Sequence, residues 1–385
     1  MRALLAIDSF KGSLSSSEAE EAAREALLGR GLRTEDICCI PVSDGGEGFC
    51  SIVTSLLGGR MVEVSCFDPL GRPVKASYGI VDDGHTAVIE SASIVGLGLI
   101  KPSLRNPLVL SSYGLGQLIA DAISRKVWDI YVGLGGTATC DGGVGMLQAL
   151  GVHFYCGGPL KEDSQFILSD VTRIDASELF SNDVRIHCLC DTSAVFHGPK
   201  GAARVFGPQK GLSPEKAVSV DNWMKRLSKA YANATGRDPQ AVEGSGAAGG
   251  IGGALCSFMG AEMLKGARGV LSLAGFERHL KEAAFSGKPY DIIITGEGCL
   301  DSQTLTGKLP WTVLGTVREL EGELPEFHPQ VMCLAGMVQD WTAGGFDRVV
   351  QITPSTQFSE DGAPDDEALR NARKYLMSAV AGLEL

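Results

Sequence analysis

The sequence lacks the features that would indicate a membrane, a nucleic acid or a disulfide-bonded domain. No apolar run reaches 18 residues, so no membrane-spanning helix is predicted. Positive charge is in deficit: the net charge of −12 argues against general binding to nucleic acid or anionic membranes, which needs a basic face. The eleven cysteines show no paired C-x-x-C spacing, which favours reduced thiols in a cytoplasmic protein over zinc ligands.

Glycine, by contrast, is abundant. The chain has 50 glycines in 385 residues, roughly 13% against about 7% on average, and they cluster without a collagen period. Clustered glycines indicate a backbone that approaches a ligand closely. The length suits one large domain or two ordinary ones.

Short apolar runs alternate with helical patterns in the first and last thirds of the chain, which predicts βα units. The stretch from "MVEVSC" to "HTAVIES" alternates and contains turn residues, as antiparallel hairpins do. The predicted fold class is therefore α/β, with a mostly parallel, Rossmann- or flavodoxin-like sheet and a second domain with a mixed sheet. We predict a discontinuous first domain at 1–60 plus 281–385, interrupted by a second domain at 61–280 that carries the hairpins.

Glycine and charged residues occur together in five segments that follow strand-like runs. These segments are Asp8–Gly12, Ser43–Gly48, Gly135–Gly143, Asp191–Lys210 and Gly296–Lys308. Ligands of open α/β sheets bind beyond the carboxyl ends of the strands, so the five loops are predicted to converge on one cleft. A tight turn with a capping aspartate explains any one of them equally well.

The residue types in these loops favour phosphoryl transfer. The last loop ends in Thr-Gly-Lys, but Ser302 stands where a Walker motif needs glycine and Leu309 follows the lysine, so it is not a Walker loop. Carboxylates without a histidine or cysteine cluster suit Mg²⁺, glycine amides can approach phosphate, and lysines neutralise the transferred group. We therefore expect a nucleotide, a magnesium ion and a small-molecule acceptor.

Six ordered motifs resemble those of the bacterial glycerate kinase type-1 family. They are "DSFKGSLS", "SDGGEG", "GLGGTATCDGGVGMLQALG", "GPKGAARVFGPQKG", "GAAGGIGGAL" and "ITGEGCLDSQTLTGK", from Ala6 to Lys308. The resemblance implies an ATP-dependent enzyme that phosphorylates D-glycerate, in many members at the 2-hydroxyl. It also implies two α/β domains with the active site in the cleft between them, and a monomer or homodimer in organic acid and carbohydrate metabolism.

The chain departs from the family pattern at three places, which leaves alternatives open. Cys140 stands where asparagine is usual, Cys299 where arginine is common, and Ala194 to Phe196 replace Asn-Pro-Leu. A carboxylate substrate is usually bound by a cationic side chain, and Cys299 replaces one. The acceptor could therefore be another small hydroxy acid. An ATP-binding homologue without acceptor turnover is a second alternative. A dinucleotide-dependent oxidoreductase is a third, although the G-x-G-x-x-G spacing breaks at Ala138.

Each candidate residue is assigned a predicted role. The catalytic candidates are Asp44, Asp191 and Lys11. The substrate-binding candidates are Asp8, Ser9, Glu47, Asp141, Lys200 and Arg105. The candidates for binding nucleotide or phosphate are Gly135, Gly136, Thr137, Lys210, Gly249, Gly250, Gly296, Gly298 and Lys308, and those for metal are Glu297 and Asp301. Helix capping is an equal alternative for Asp141, and close helix packing for Gly249 and Gly250.

Overall fold

The computed structural model describes residues 1–10, 12–40, 42, 48–156, 171–180, 183–302, 304–339, 341–358 and 364–383. Its strands are β1 (Ala3–Ile7), β2 (Ile37–Cys39), β3 (Arg60–Phe67), β4 (Pro73–Val81), β5 (Thr86–Glu90), β6 (Asp129–Gly133), β7 (His153–Tyr155), β8 (Arg173–Asp175), β9 (Arg185–Leu189), β10 (Glu262–Leu264), β11 (Ile292–Leu300), β12 (Gln330–Val338) and β13 (Arg348–Gln351). Its α-helices are α1 (Ser16–Gly29), α2 (Phe49–Leu56), α3 (Ala92–Val95), α4 (Tyr113–Ser124), α5 (Val144–Ala149), α6 (Ala202–Phe206), α7 (Pro214–Thr235), α8 (Ala247–Met259), α9 (Gly266–Leu273), α10 (Phe276–Phe285), α11 (Leu309–Glu323) and α12 (Asp366–Ala381).

The chain divides into two compact units. Unit 1 combines Met1–Asp44 with Ala267–Leu385, and unit 2 is Gly45–Gly266. The limits predicted from the sequence, 1–60 with 281–385 and 61–280, stay a prediction of the domain boundaries. The predicted fold class, an α/β chain with one parallel and one mixed sheet, is confirmed.

Unit 1 is built on a parallel sheet with the strand order β13-β12-β11-β1-β2. Alternate residues of its central strands, such as Leu5 and Ile294, pack against helices α1 and α12. The intervening residues Leu4 and Ile293 are buried as well, and α11 packs against β1 and β11. The sheet is therefore covered on both faces, as its continuous apolar strands require.

Helix α1 begins with a capping box formed by Ser15 and Glu18. The Glu18 amide donates to the Ser15 hydroxyl over 3.3 Å, and the Ser15 amide donates to the Glu18 carboxylate over 2.8 Å. These bonds satisfy two of the amides that have no partner within a helix. The apolar residues of α1 that are buried against the sheet are Ala19, Ala22, Ala23, Ala26 and Leu27.

Unit 2 is built on a mixed sheet with the strand order β10-β9-β6-β5-β4-β3. Strands β3, β4 and β5 pair antiparallel, whereas β5, β6, β9 and β10 pair parallel. A separate antiparallel pair joins β7 to β8. Helices α4, α5, α7 and α8 bury one face of the main sheet in a single large core that includes Trp223, Tyr231 and Phe258.

No helix within the described residues is both long and apolar enough to cross a membrane. All eleven cysteines carry free thiols.

Candidate functional site

The order of the strands in unit 1 creates a topological switch point between β1 and β11. The chain moves from β1 to β2 on one side, and from β11 through β12 to β13 on the other. Ligands of open α/β sheets bind at such points, beyond the carboxyl ends of the two strands. Asp8 directly follows β1, and its amide donates to the carbonyl of Gly296 in β11 over 2.9 Å. Two predicted site residues thus lie side by side at the switch point.

The turn after β1 is shaped by Asp8. Its carboxylate accepts a hydrogen bond from the Ser9 amide over 2.7 Å. Asp8 is 9% exposed and Ser9 is half-buried. The polar groups of both residues therefore lie at the edge of the sheet.

Strand β11 is longer than the sequence indicated. The predicted loop starts at Gly296, whereas the strand continues to Leu300 and pairs with β12 up to Val338. A side chain at Gly296 would meet the carbonyl of Leu334 at 2.3 Å, so glycine permits the close approach of the two strands. The loop itself begins at Asp301.

Glu297, Asp301 and Lys308 form an ion cluster at the end of β11. The Lys308 Nζ lies 3.4 Å from Glu297 Oε2 and 3.5 Å from Asp301 Oδ1. The Thr304 hydroxyl donates to Glu297 Oε1 over 2.6 Å. Burial raises the pKa of Glu297, more than Thr304 and Lys308 lower it. Burial acts to lower the pKa of Lys308, but the two carboxylates raise it above its ordinary value.

The donor set of this cluster fits a magnesium ion that also binds phosphate. Magnesium takes one or two carboxylates and fills its remaining positions with phosphate oxygens and water. Glu297 and Asp301 supply that number of carboxylates. Lys308 lies within ion-pair distance of both. In the part of the chain that the structure describes, no group of three or more histidine, cysteine or acidic side chains is suited to hold a metal.

The loop Gly135–Gly143 of unit 2 follows β6 and is exposed only at its start. Gly135 and Gly136 are exposed, and Gly136 has a positive φ of +66°. Thr137 is 4% exposed, and the residues after it are buried. The two glycines predicted to bind phosphate are therefore the exposed residues of this loop.

Lys210 lies beneath the loop rather than on the surface. It is 3% exposed, and its ammonium donates to the Thr137 hydroxyl over 3.1 Å and to the Thr139 carbonyl over 2.8 Å. Burial lowers its pKa from 10.5 to about 8, although Cys140 and Asp141 act in the opposite direction. The structure places this phosphate-binding candidate where it supports the loop from inside.

Asp141 is engaged entirely within the fold. Its carboxylate is 1% exposed and accepts from the Ser112 amide at 2.8 Å, the Ser112 hydroxyl at 2.7 Å, the Gly143 amide at 3.1 Å and the Gly145 amide at 3.2 Å. These donors lie at the beginnings of α4 and α5. Capping is thus the alternative that the contacts favour over substrate binding.

Gly249 and Gly250 pack against the same loop. Ala248, Gly249 and Gly250 all have positive φ angles, which distort the start of α8. A side chain at Gly249 would meet the Thr139 carbonyl at 2.1 Å, and the Gly142 amide donates to the Gly249 carbonyl over 3.0 Å. This geometry favours close packing over phosphate binding.

The three remaining candidates of unit 2 lie in loops. Asp191 is exposed at the carboxyl end of β9, and its carboxylate accepts from the Gly266 amide over 2.8 Å. Lys200 is exposed as well. Arg105 is half-buried, and its Nε donates to the Ile100 carbonyl over 3.2 Å. Asp191 and Lys200 are therefore the accessible charged groups of this set.

Glu90 is a residue that the sequence reasoning missed. It ends β5, and its carboxylate accepts from the Gly48 amide at 3.1 Å and the Cys50 amide at 3.3 Å, at the start of α2. The signal available in the sequence was the position of this acid at the end of a strand-like run. In the structure, that strand pairs in parallel with β6. Three other candidates, Lys11, Asp44 and Glu47, lie outside the described residues.

The departures from the family pattern lie largely in the core. Cys140 is 1% exposed, and burial raises the pKa of its thiol to about 11. Ala194 and Phe196 are buried, and Phe196 belongs to the main core of unit 2. Val195 and Cys299 are half-buried, and the Cys299 Sγ lies 3.9 Å from Asp301 Oδ2. Only this last departure lies within the ion cluster.

A parallel sheet with a switch point, glycines and a lysine paired to carboxylates is typical of the α/β enzymes that transfer phosphoryl groups. A family model described as the glycerate kinase family matches residues 3–383. The chain therefore belongs to the glycerate kinase family.

Individual relatives agree with this assignment. A glycerate kinase of Bacillus subtilis is 35% identical over 98% of this chain and 95% of its own. A glycerate 2-kinase of Escherichia coli is 35% identical over 88% of this chain and 86% of its own. A crystal structure described as a "putative glycerate kinase 2" from Salmonella typhimurium matches with a TM-score of 0.82 and 34% identity, over 99% of this chain and 97% of that one. The chain is accordingly an enzyme, a phosphotransferase of this family.

Proposed function

We propose that the chain transfers the γ-phosphoryl group of ATP to the 2-hydroxyl of D-glycerate. The observation that carries this proposal is the match to the glycerate 2-kinase of Escherichia coli, at 35% identity over 88% of the chain. The acidic residues and lysine at the carboxyl ends of β1 and β11 support it, because phosphoryl transfer depends on positioning and charge neutralisation.

On the acceptor side, a carboxylate takes the proton of the substrate hydroxyl while its oxygen attacks the γ-phosphorus. Asp191 is the described candidate for this base, because its carboxylate is exposed at the end of a strand. Asp44 is the second candidate, and Lys11 and Glu47 are proposed to assist. Asp8 and Ser9 are proposed to bind the substrate at the switch point.

On the nucleotide side, Lys308 is proposed to neutralise charge on the transferred phosphoryl group. Gly296 and Gly298, together with Gly135 and Gly136, offer backbone where phosphates can approach. Glu297 and Asp301 would hold Mg²⁺, which neutralises the phosphates when bound. The bond between the γ-phosphorus and the bridging oxygen breaks, and ADP leaves.

The decisive assay is ADP release from Mg·ATP with and without D-glycerate, with phosphorus NMR to locate the phosphate. We expect strong stimulation and a 2-phosphate product. Stimulation by a different hydroxy acid would instead favour a changed acceptor, in line with Cys299. ATP binding without turnover on any acceptor would overturn the proposal.

Single Asp→Asn variants at 44, 191 and 301 separate the proposed roles. A variant on the acceptor side loses turnover but keeps its affinity for ATP, whereas D301N is expected to weaken binding of Mg·ATP. Asp121→Asn on α4 is a matched control, because its carboxylate accepts from Tyr78 and Arg125 and has no proposed role in the site. If all three variants match this control, the site assignment is wrong. The predicted cleft, the cytoplasmic location and the oligomeric state stay predictions.

A further inference from the structure

The ladder between β1 and β2 ends abruptly in unit 1. Among the described residues, the last direct bond runs from the Ile40 amide to the Leu5 carbonyl, at 2.9 Å. Alternate residues of a parallel strand bond to the same neighbour, so Ile7 directs its amide and carbonyl to this side as well. Neither group bonds to β2. The Ile7 carbonyl accepts from the Ser16 hydroxyl at 2.6 Å, and the Ile7 amide donates to Glu20 Oε1 at 3.2 Å.

Ser16 also bonds to the chain that leaves β2. Its hydroxyl accepts from the Val42 amide at 3.2 Å. In a continued ladder, the Val42 amide would donate directly to the Ile7 carbonyl, two residues beyond the bond from Ile40 to Leu5. The Ser16 hydroxyl therefore bridges the Val42 amide and the Ile7 carbonyl, and it replaces the direct bond between them.

Ser16 and Glu20 lie one turn apart on α1, on the same face of the helix, and are 1% and 2% exposed. Together they occupy the place where the two strands would otherwise pair. We refer to these two side chains as the Ser16–Glu20 wedge.

The wedge includes a buried polar atom that has no hydrogen-bond partner among the described residues. Glu20 Oε2 is buried and makes no hydrogen bond within the part of the chain that the structure describes. Burial also raises the pKa of this carboxyl well above its ordinary value. An unsatisfied buried polar group destabilises a fold. Direct pairing of β1 with the chain that leaves β2 would need no carboxyl group at this position. The arrangement therefore points to a use other than stability.

We propose that Ser16 and Glu20 are positioning residues that hold the carboxyl ends of β1 and β2 apart and thereby fix Asp8 and Ser9 for the acceptor substrate. Ile7 is bonded to the wedge on one side, and the next residue, Asp8, is bonded to Gly296 on the other. The start of the loop is thus fixed from two directions. The proposal rests on the proposed function, in which Asp8 and Ser9 bind the substrate.

The test compares Ser16→Ala and Glu20→Met with three reference variants. S16T and E20Q keep the hydroxyl and the acceptor oxygen, and Glu21→Gln changes an exposed acid next to the wedge on the same helix. S16A allows Val42 to pair with Ile7 directly, whereas E20M leaves the Ile7 amide without an acceptor. We expect both to raise KM for D-glycerate at least about tenfold, because small displacements of binding groups are costly. KM for ATP, and all constants of the three reference variants, are expected to stay near wild type.

Two outcomes would overturn the proposal. The first is a folded S16A or E20M with the same KM for D-glycerate as E21Q, even if its thermal midpoint falls. The second is an equal rise in both KM values, since that would indicate a general structural loss. If S16A does not fold, E20M against E20Q gives the same comparison.

Failure of the proposed function can be recognised separately. Wild-type enzyme that leaves D-glycerate unchanged refutes the function but not the wedge. Amide hydrogen exchange then decides: E20M should speed exchange at Ile7 and Asp8, whereas E21Q should not. Unchanged exchange in E20M would refute the positioning role itself.

Discussion

Lys210 offers a quantitative test of how unit 2 is held together. Burial lowers its pKa from 10.5 to about 8, because within the described residues its ammonium donates to the Thr137 hydroxyl and the Thr139 carbonyl rather than to a carboxylate. Each pH unit between the folded and unfolded values corresponds to about 1.4 kcal/mol. The charged lysine therefore lowers stability by about 3 kcal/mol below pH 8, given its folded value of about 8.

The sign of the pH dependence follows from proton binding. Between pH 8 and 10.5 the folded protein holds a neutral amine, whereas the unfolded chain still binds a proton. Stability rises with pH wherever the unfolded state binds more protons. Lys210 should thus add about 3 kcal/mol to the free energy of unfolding as the pH rises through this window.

The assay is urea denaturation from pH 7 to 10.5, followed by tryptophan fluorescence, to which the buried Trp223 of unit 2 contributes. The measured quantity is the free energy of unfolding of wild type minus that of Lys210→Met. This difference should grow by about 3 kcal/mol across the range. Lys229→Met, on the exposed side of α7, is the matched control and should give a flat difference. If the difference for K210M is also independent of pH, the conclusion that a buried, charged Lys210 destabilises the fold is refuted.

Three further changes test other parts of the structure. Asp141→Asn should lower the free energy of unfolding by about 3 kcal/mol, because an amide cannot accept all the buried donors; a loss below about 1 kcal/mol in urea denaturation would contradict this. Gly249→Ala should cost at least about 2 kcal/mol, since its φ is +70° and the new methyl would lie 2.1 Å from the Thr139 carbonyl; an unchanged thermal midpoint would argue against this packing. Lys308→Met should lower kcat/KM for ATP at least about tenfold, with partial recovery in K308R, because the cation proposed to neutralise the transferred phosphoryl group is lost; wild-type kinetics in K308M would exclude the proposed phosphate role.

Much of the fold could be predicted from local patterns. The runs "ALLAI", "DIYVG" and "RIHCL" are strands, as their short apolar character indicates. The alternating segment before Glu90 forms the antiparallel strands β3 and β4 and leads into β5. Apolar periodicity and turn residues act over a few positions, so they are visible without tertiary contacts.

The order of the motifs also identified the family, which the comparisons confirm. The short strand β10 was missed, because its three residues carry too little pattern.

The roles of individual polar residues were decided by tertiary structure. Lys210 resembles a surface phosphate ligand in sequence, yet it is buried against Thr139, 71 positions away. Asp141 is bonded to Ser112, and Glu20 to Ile7, through contacts that no local pattern encodes. The buried face of α1, which is otherwise rich in alanine, thus carries the polar Ser16–Glu20 wedge.

The sequence by itself determined which segments form strands and helices and which loops carry charge, because these depend on neighbouring residues. Only the tertiary structure decided which charges are buried and which reach the switch point between β1 and β11, because burial depends on elements distant in the chain.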